Sequence, residues 1–290
     1  MNGILVINKK SGLSSSHVVQ KVKKILHEKC GHLGTLDPLA EGVLPVAVGR
    51  ATRLFDLFLS KTKTYVAQIR FGLETDTLDN EGKVTKVSQI IPSLDEINQA
   101  IKHHLLGEIN QMPPLYSSKK VNGAKAYDLA RKGISVELKP SQVTIFSFDV
   151  LSPIDECTIE ARIVCSAGTY IRSLCRDLGI LCHSCAIMHH LIREKCGPFD
   201  ISQSVDVDEL SLDNVMTYIV PLKEALRGHP SVDLDESIFK DCLNGKVVHM
   251  SQINGLGSDI SSALVVFVKG EVVGLAKIQD DVFKIITYLC

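Results

Sequence analysis

Short apolar runs of strand length recur along the chain, and they constrain its fold more than any other feature. They are GILVI at 3–7, VLPVAV at 43–48, KTYVAQIRFG at 63–72, and the segments 142–150, 157–165 and 187–195. Such runs, rich in β-branched side chains, are typical of buried strands. Fewer segments carry a helical period, namely 14–30, 94–106 and 170–182. The chain is therefore predicted to build a sheet flanked by a small number of helices.

A change of character near residue 231 predicts a second, smaller domain. Residues 200–235 hold eight acidic and two basic side chains and are helix-capable. From about residue 236 the chain is dominated by the strand-like runs ALVVFVKG, EVVGLAKI and FKIITYL. A length of 290 residues suits one large domain and one small one. We therefore predict domains at 1–230 and 231–290.

Charge is unevenly distributed, although the net charge is only −1. Residues 1–70 hold eleven basic and four acidic side chains, and residues 110–140 hold six and two. The acidic excess falls in 200–235. Segregated charge of this kind favours a basic face that binds nucleic acid. Chance clustering of charges on solvated faces is the alternative.

Several classes of function lack the sequence features that they need. No apolar run approaches the roughly 20 residues of a membrane helix, and the N-terminus shows no secretory signal. The nine cysteines are odd in number and scattered, which favours reduced thiols in the cytoplasm. There is no P-loop, dinucleotide-binding or G-x-S-x-G motif. Cys182, Cys185 and His189 resemble half a zinc site without a second pair of ligands, so we expect no metal and no cofactor.

The stretch GHLGTLDPLAEGVLPVAVG, residues 31–49, is the first candidate site. Its glycines allow the backbone to approach a ligand closely, and Pro38 forces the preceding Asp37 out of helical geometry. Asp37 therefore lies on a shaped, non-helical segment. It is a candidate catalytic acid, with the capping of a turn as the structural alternative.

Three further segments carry candidate side chains. Tyr65 opens an alternating strand, and Tyr170 and Arg172 lie where SAGTYIRSLCRDLG (166–179) turns from strand to helix, a position that attracts anions. PPLYSSKKVNGAKAYDLARKG (113–133) interleaves basic and aromatic residues, which suits phosphate contacts and base stacking. Each segment has a structural alternative: a core tyrosine, a helix cap with a surface arginine, and a solvated loop.

Over nearly its whole length the chain resembles the TruB-type tRNA pseudouridine synthases. The most specific segment, GHLGTLDPLAEGVLPVAVGRATRL (31–54), is similar to the family's catalytic motif; KTYVAQIRFGLETDTLDNEG, QMPPLYSSKKVNGAKAYDLARKGI and SAGTYIRSLCRDLG resemble its other motifs. By this resemblance the catalytic residues are Asp37, Tyr65 and Arg172. The residues that it implies in binding RNA or the target base are His32, Arg53, Asp79, Lys119, Lys120, Tyr170, Leu191 and Arg193.

The same resemblance implies the fold class and the domain types. The expected architecture is α+β, with a mixed, mainly antiparallel central sheet and flanking helices, which is the pseudouridine synthase fold. A small C-terminal β-rich domain is similar in size and place to a PUA domain. The region at about 108–138 corresponds to an RNA-gripping insert within the catalytic domain. The strand-like segments of the sequence agree with this fold class.

Two segments depart from the family pattern. The first motif usually reads D-K-P-x-G, whereas here it is NKKSG, with Asn8 and Lys10 in place of the acid and the proline. The usual L-R-R-T near the end of the catalytic domain is LIRE, with Ile192 and Glu194 off-pattern. We expect the first change to alter the shape of a turn, and the carboxylate of Glu194 to sit poorly beside phosphate.

The resemblance implies conversion of uridine to pseudouridine at position 55 in the TΨC loop of tRNA. The C1′–N1 bond breaks and the base rejoins through C5, so a carboxylate beside the ribose is needed and a cofactor is not. The base is expected to flip into a pocket, with His32 in the vacated space and Leu191 as an apolar wall. Tyr65 is expected to stack on the base and to accept a proton. Arg172 is expected to pair with Asp37 and keep it ionised.

The expected partner is the TΨC stem-loop of tRNA, bound by a monomer that requires no other protein and no membrane. Two alternatives use the same basic surface. One is a non-catalytic protein that binds and folds tRNA, which would not require the set Asp37, Tyr65 and Arg172. The other is a guide-RNA-dependent pseudouridine synthase subunit, which usually carries longer basic extensions than this sequence shows.

Overall fold

The computed structural model describes residues 1–117, 119–121, 123–125, 127, 129, 138–253 and 263–290. In these residues the α-helices are α1 Ser15–Leu26, α2 Phe55–Leu59, α3 Leu94–Ala100, α4 Ile171–Leu181, α5 Val215–Tyr218, α6 Leu222–Ala225 and α7 Glu236–Leu243. Short 3-10 segments are Gly49–Leu54, Ile201–Gln203, Val207–Glu209 and Met250–Gln252, and a π-helical turn spans Ile101–Leu105. The segment AYDLARKG, 126–133, whose sequence predicts a short helix ended by glycine, falls largely outside the described residues.

The strands divide between one large sheet, one smaller sheet and two hairpins. They are β1 Gly3–Lys9, β2 Cys30–His32, β3 Glu41–Val48, β4 Lys63–Phe71, β5 Leu73–Thr75, β6 Val84–Val87, β7 Gly107–Gln111, β8 Lys120–Val121, β9 Ala124–Lys125, β10 Ser141–Pro153, β11 Thr158–Cys165, β12 Ala186–Cys196, β13 Phe199–Asp200, β14 Ile219–Val220, β15 Ser231–Asp233, β16 Val248–His249, β17 Leu264–Val268, β18 Glu271–Gln279 and β19 Val282–Tyr288.

Helix α1 forms for local reasons that its sequence makes visible. Ser14 caps its first turn by accepting a hydrogen bond from a backbone N–H, and its apolar positions at i, i+4 spacing are buried. The helix ends at Leu26 rather than near Gly31, because His27 adopts the left-handed conformation with φ of 53°. Cys30–His32 consequently leave the helix and pair with β3 as strand β2.

Among the described residues the large sheet has ten strands, in the order β14-β1-β3-β12-β4-β11-β10-β7, with β2 beside β3 and β13 beside β12. Its pairs are antiparallel except that of β3 with β12, which is parallel and aligns Glu41 with Ile192 and Gly42 with Arg193. The predicted α+β class with a mixed, mainly antiparallel sheet is confirmed. The parallel pair brings the end of the 31–41 loop beside the middle of β12.

One face of the large sheet is covered by α1, α3 and α4. Along β4, buried and half-buried residues alternate from Lys63 to Phe71. Tyr65, Ala67 and Ile69 consequently share one apolar cluster with the inner sides of these helices. The cluster includes Leu36 and Leu39, so the candidate catalytic loop packs directly on this core.

The smaller sheet lies at the C-terminal end of the chain. In the described residues it has five strands in the order β15-β17-β18-β19-β16, with β15 and β17 parallel. A second apolar cluster joins it to the large sheet, with Ile4 and Val43 on one side and Leu275 and Leu289 on the other. Arg53 crosses the same boundary, since its Nη1 donates a hydrogen bond to the Tyr288 carbonyl at 2.6 Å.

Gly42 explains how β3 and β12 approach each other so closely. Its φ is +98°, and a Cβ added there would lie 2.3 Å from the Arg193 carbonyl oxygen. Both the backbone conformation and the short contact require a residue without a side chain. The junction that carries the candidate loop therefore depends on this glycine.

We expect Gly42→Ala to lower the free energy of unfolding by about 3 kcal/mol, because a left-handed conformation penalty adds to a clash with fixed backbone. Gly228→Ala is the matched control: its φ is +81°, but an added Cβ there meets nothing within 4 Å, so only about 1 kcal/mol should be lost. Urea unfolding followed by circular dichroism measures both. Equal losses would contradict the role assigned to the β3–β12 contact.

Candidate active site

Asp37 lies on a loop whose backbone is fastened on both sides of the carboxylate. The Ser15 hydroxyl donates to the Leu36 carbonyl at 2.8 Å and accepts from the Leu36 N–H at 2.9 Å. The Lys9 ammonium donates to the Pro38 carbonyl at 2.9 Å. The Asp37 side chain itself remains 35% exposed. These hydrogen bonds thus fix the residues on either side of Asp37, while its carboxylate stays accessible to solvent.

Lys9 is the buried anchor of this loop. Its side chain is fully enclosed, and Nζ donates to the carbonyls of Lys10 at 3.0 Å, Leu13 at 2.7 Å and Pro38 at 2.9 Å. Burial lowers the pKa of Lys9 to about 8, although the nearby Asp37 carboxylate opposes that change. At pH 7 the ammonium therefore keeps three donors, one for each carbonyl.

Arg193 fastens the same loop from the sheet. Its side chain is 1% exposed, and its guanidinium donates to the carbonyls of Val43 at 2.7 Å, Thr35 at 3.1 Å and Gly34 at 3.1 Å. This corrects the expectation that Arg193 contacts RNA, because the group is enclosed and bound to main-chain oxygens. In the sequence, Arg193 lies two positions after the apolar Leu191. In a strand this spacing places both side chains on the same face, which was the signal for an inward position.

Lys9 and Ser15 were not among the predicted site residues. Lys9 follows Leu5 and Ile7 at alternate positions of β1, so the period of a strand places it on their side of the sheet. Ser15 lies in the run of three serines 14–16 at the start of α1, where the residue type predicts a helix cap. Its partner in both hydrogen bonds, Leu36, is 21 residues away along the chain, and only the tertiary structure brings the two together.

Arg172 connects Asp37 to the rest of the site. Its Nε lies 2.8 Å from Asp37 Oδ2, and its Nη1 lies 3.6 Å from Asp79 Oδ2. Nη1 donates to the Thr77 carbonyl and Nη2 to the Tyr116 carbonyl, each at 3.0 Å. Within the described part of the chain Nε makes no hydrogen bond of good angle, so its contact with Asp37 is an ion pair without a directed hydrogen bond.

Asp79 supports Arg172 from a tight turn. Its side chain is enclosed, and Oδ1 accepts from the Thr77 hydroxyl at 2.5 Å and from the Glu81 N–H at 3.2 Å. The preceding Leu78 has φ of 62°, a conformation that bulky residues adopt only where their surroundings impose it. This corrects the expectation that Asp79 binds RNA, because its carboxylate is buried and faces Arg172.

Tyr65 and Leu191 lie on adjacent strands of the apolar cluster that contains Leu36, the neighbour of Asp37. Tyr65 is 8% exposed and Leu191 is 4% exposed. Burial raises the pKa of Tyr65 to about 12. Its place in the apolar cluster suits stacking against a base, and its role as a proton acceptor stays a prediction.

The remaining two aromatic candidates are half-buried. Tyr170 immediately precedes α4, and burial raises its pKa, with the nearby negative charge of Asp37 adding to the increase. Tyr170 thus belongs to the Asp37 site. His32 lies on β2 opposite Val46 of β3, at the start of the catalytic loop.

Two of the other basic residues predicted to contact RNA form hydrogen bonds to main-chain carbonyls. Arg53 is exposed and reaches the smaller sheet through Tyr288. Lys119 donates from Nζ to the Lys139 carbonyl at 2.9 Å and to the Ser141 hydroxyl at 2.7 Å, which closes the base of the insert. The side chain of Lys120 is outside the described part of the structure.

A basic cavity of about 420 Å³ surrounds Arg53. Its lining residues are Met1, Asn2, Glu28, Lys29, Gly49, Arg50, Thr52 and Arg53. The single carboxylate among them, that of Glu28, lies 3.3 Å from the N-terminal ammonium. Lys29, Arg50 and Arg53 thus give the cavity an excess of positive charge, which suits contact with phosphate.

The two departures from the family pattern are accommodated locally. Glu194 accepts two hydrogen bonds from the Arg162 guanidinium, at 3.0 and 3.1 Å, so its charge is matched by a planar, bidentate partner. Asn8 and Lys10 are exposed, and Lys10 pairs with Asp206. The buried member of the motif, Lys9, is retained.

Metal-binding and membrane-spanning features are absent from the described residues. No group of three or more His, Cys, Asp or Glu side chains there is arranged to hold a metal ion. None of the helices in the described part has the length and apolar content needed to cross a bilayer.

Comparison with known proteins decides the family. The family model described as "TruB family pseudouridylate synthase (N terminal domain)" matches residues 22–171. The tRNA pseudouridine synthases B of Clostridium kluyveri and Clostridium acetobutylicum are each 40% identical to the chain, over 99% and 100% of both sequences, respectively. The chain belongs to the TruB family. An enzymatic function as a tRNA pseudouridine synthase, an isomerase, follows from this membership.

A solved structure with the same fold supports the assignment of this TruB-family enzyme. The chain in a Cbf5–Nop10–Gar1 complex is 26% identical and superposes with a TM-score of 0.75, covering 99% of this chain and 85% of that one. The pseudouridine synthase fold implied by the sequence motifs is confirmed.

Lys9→Met keeps the length of the side chain but removes the donors of three buried carbonyls. We expect the free energy of unfolding at pH 7 to fall by about 2 kcal/mol. The deficit should grow as pH rises. Unfolded lysine has a pKa of about 10.4, against about 8 for folded Lys9. Between these values the unfolded chain binds more protons, so the wild type gains stability, whereas the variant has no such group.

The measurement is urea unfolding of both proteins from pH 7 to pH 10. The matched control is Lys10→Met, since Lys10 is the exposed neighbour of Lys9. A constant difference between the wild type and Lys9→Met across this range would contradict the assignment. So would an equal pH-dependent deficit in the control.

Proposed function

We propose that this enzyme converts uridine 55 in the TΨC loop of tRNA to pseudouridine, with Asp37 acting at the glycosidic centre. The observation that carries the proposal is the ion pair between Arg172 and Asp37, at 2.8 Å. Arg172 is 6% exposed at its side chain, while Asp37 is 35% exposed. The buried Arg172 therefore orients the carboxylate from the protein side, and the solvent-facing side of the carboxylate can be reached by a ribose.

The reaction balances without any added group. The C1′–N1 bond of uridine breaks, the base turns, and a C1′–C5 bond forms. C5 loses a proton and N1 carries one in the product, so nothing is oxidised and no atom leaves. A carboxylate beside C1′ can support glycosidic bond cleavage, as it does in glycoside hydrolysis. Because the detached base is recaptured, one such acid suffices.

A uridine stacked in an RNA loop must leave its stack to reach Asp37. In the proposed complex, Tyr65 and Leu191 form the apolar wall against which the flipped base lies. His32 fills the space that the base vacates. Tyr170, beside Asp37, supports the ribose side. The neutral phenol of Tyr65 suits stacking and hydrogen-bond donation.

Recognition of the tRNA is assigned to the basic surface and to the C-terminal region. Phosphate contacts come from Lys23 and Lys24 of α1 and from the basic cavity around Arg53, all exposed. Residues 231–290 act as a PUA-like RNA-binding domain, and the insert at about 108–138 grips the stem-loop. The enzyme acts in the cytoplasm as a monomer, without an obligatory protein partner.

Asp37→Asn tests the catalytic assignment. We expect pseudouridine formation to fall by at least about 10³-fold, because a group that acts on the reacting bond is lost. Binding of tRNA should stay within about threefold, since an amide of equal size replaces the carboxylate and the lost negative charge made no attractive contact with phosphate. Pseudouridine is mapped at position 55 by carbodiimide-dependent primer extension, and binding is measured by filter retention. Asp95→Asn, an exposed position on α3, is the control.

The substrate for this assay is one unmodified tRNA transcript with the purified protein alone. Pseudouridine at position 55 under these conditions supports the proposal. Activity that appears only when guide RNA and partner proteins are supplied would place the enzyme instead with the guide-dependent pseudouridine synthases. Substantial activity in Asp37→Asn would contradict the catalytic role of Asp37.

Salt dependence tests the basic cavity. Each phosphate contact adds roughly 0.7 to 0.9 to the slope of log K against log salt concentration. Lys29→Gln and Arg50→Gln should each reduce that slope by about this amount, with a weaker affinity at low salt. Lys223→Gln, an exposed position on α6 within the acidic region 200–235, is the control and should leave the slope unchanged. Wild-type slopes in both cavity variants would argue against phosphate binding there.

A further inference from the structure

We propose that Gln111 is a positioning residue for pseudouridine formation: its amide fixes the segment Gln111–Ser117 against the start of α4, so that the Tyr116 carbonyl holds Arg172 on Asp37. The inference rests on the proposed function and adds a residue to its machinery. Gln111 acts on Asp37 through other residues: the Tyr116 carbonyl that holds Arg172, and the main chain of Tyr170 just before Arg172.

Gln111 joins two elements that are far apart in sequence. It is the last residue of β7, pairs with Ser141 of β10, and is 1% exposed. Its Oε1 accepts from the Tyr170 N–H at 2.8 Å, and its Nε2 donates to the Tyr170 carbonyl at 3.0 Å. Tyr170 precedes α4 and its side chain makes no capping hydrogen bond. The amide of Gln111 therefore matches both main-chain groups at the helix start.

The next residue is fastened to the same helix. The Met112 carbonyl accepts from the Ser173 hydroxyl at 2.7 Å and from Arg176 Nη2 at 3.1 Å. Pro113 and Pro114 follow and are both buried. Because proline fixes φ and has no N–H to donate, this part of the segment has few alternative conformations.

The segment then contacts the catalytic pair through the main chain of Tyr116. The Tyr116 carbonyl accepts from Arg172 Nη2 at 3.0 Å, on the opposite side of the guanidinium from the Thr77 and Asp79 contacts of Nη1. A planar guanidinium held at both terminal nitrogens, Nη1 and Nη2, cannot turn without breaking a hydrogen bond. Release of Tyr116 would therefore let Nε move relative to Asp37, and misplacement of a catalytic group by about 1 Å can cost about 10²-fold in rate.

Burial separates this role from RNA binding. The Gln111 side chain is enclosed and its amide is engaged with Tyr170, so it offers no surface to a tRNA. Loss of the amide should therefore change the rate of the chemical step and leave the affinity for tRNA nearly unchanged. A residue that only gripped RNA would show the reverse.

The first test compares Gln111→Leu with Gln142→Leu in single-turnover assays with saturating enzyme. Gln142 lies on β10 beside Gln111's strand, but its amide donates to Glu108 at the surface. We expect Gln111→Leu to lower the rate constant for pseudouridine formation by about 10- to 100-fold, with tRNA affinity changed less than about threefold and the control equal to wild type. A wild-type rate in Gln111→Leu, or a loss confined to tRNA affinity, would overturn the inference.

Gln111→Glu provides a pH signature that a general packing defect would not give. A protonated carboxyl can both accept from the Tyr170 N–H and donate to its carbonyl, whereas a carboxylate can only accept. The rate of Gln111→Glu relative to wild type should therefore rise as pH falls. A ratio that is independent of pH would count against the donor–acceptor match.

A double-mutant cycle tests the route through Arg172. In an Arg172→Lys background, where the Nη2 contact with Tyr116 is already lost, Gln111→Leu should cost less than about threefold. A full additional loss would show that Gln111 acts by another path. If Gln111→Leu fails to fold, Ser173→Ala removes only the bond to Met112, and a loss of about three- to tenfold is expected.

The proposed function and this inference fail in different ways. Wild-type protein that forms no pseudouridine on the tRNA transcript would remove the proposed function itself. Wild-type protein that is active, with Gln111→Leu equally active, would remove only the positioning role of Gln111.

Discussion

The guanidinium of Arg172 is enclosed by three separate loops, and the geometry of the site depends on it. It contacts Asp37, Asp79, and the carbonyls of Thr77 and Tyr116. A buried charge that loses its partners costs several kcal/mol, so the loops can close on α4 only in the arrangement that supplies these acceptors. The same requirement leaves Asp37 as the outermost acceptor, exposed on the side away from Arg172. The contacts that stabilise the buried guanidinium of Arg172 thus also orient the carboxylate of Asp37.

The loop that carries Asp37 has no regular structure of its own, and two further buried cations replace the hydrogen bonds that a helix or strand would supply. Lys9 and Arg193 bind main-chain carbonyls at Gly34, Thr35, Pro38 and Val43. Both come from strands, and the parallel pairing of β3 with β12 brings Arg193 beneath the loop. Gly42 permits that approach. The positive charge gathered around Asp37 also favours an anionic substrate such as RNA.

Two features of this chain show how a family's site tolerates unusual residues. Glu194, which was expected to disturb phosphate binding, is bound bidentately by Arg162, so its charge does not stand alone. The NKKSG motif changes only exposed positions, and Lys9 keeps its three carbonyls. The buried charge of Lys9 keeps its partners, because an unpaired buried charge would cost far more than an altered surface residue, and the partly exposed Glu194 gains a partner in Arg162. The amide of Gln111 plays a comparable part, since it forms hydrogen bonds from β7 to the main-chain N–H and carbonyl of Tyr170 at the start of α4.

The sequence by itself determined the long strands, helices α1, α3 and α4, the α+β class and the family, because apolar periodicity and motif spacing are local properties of the chain. It also singled out Asp37, Tyr65, Tyr170 and Arg172. It did not show that Arg193 and Asp79 face inward, since a charged residue in a motif reads the same whether it binds RNA or a neighbouring carbonyl. Nor did it reveal Lys9, Ser15 and Gln111 as supports of the site. Their distant partners Pro38, Leu36 and Tyr170 lie 29, 21 and 59 residues away, respectively. Those contacts exist only once the sheet has paired β3 with β12 and packed α4 on its face, so tertiary structure alone decided them.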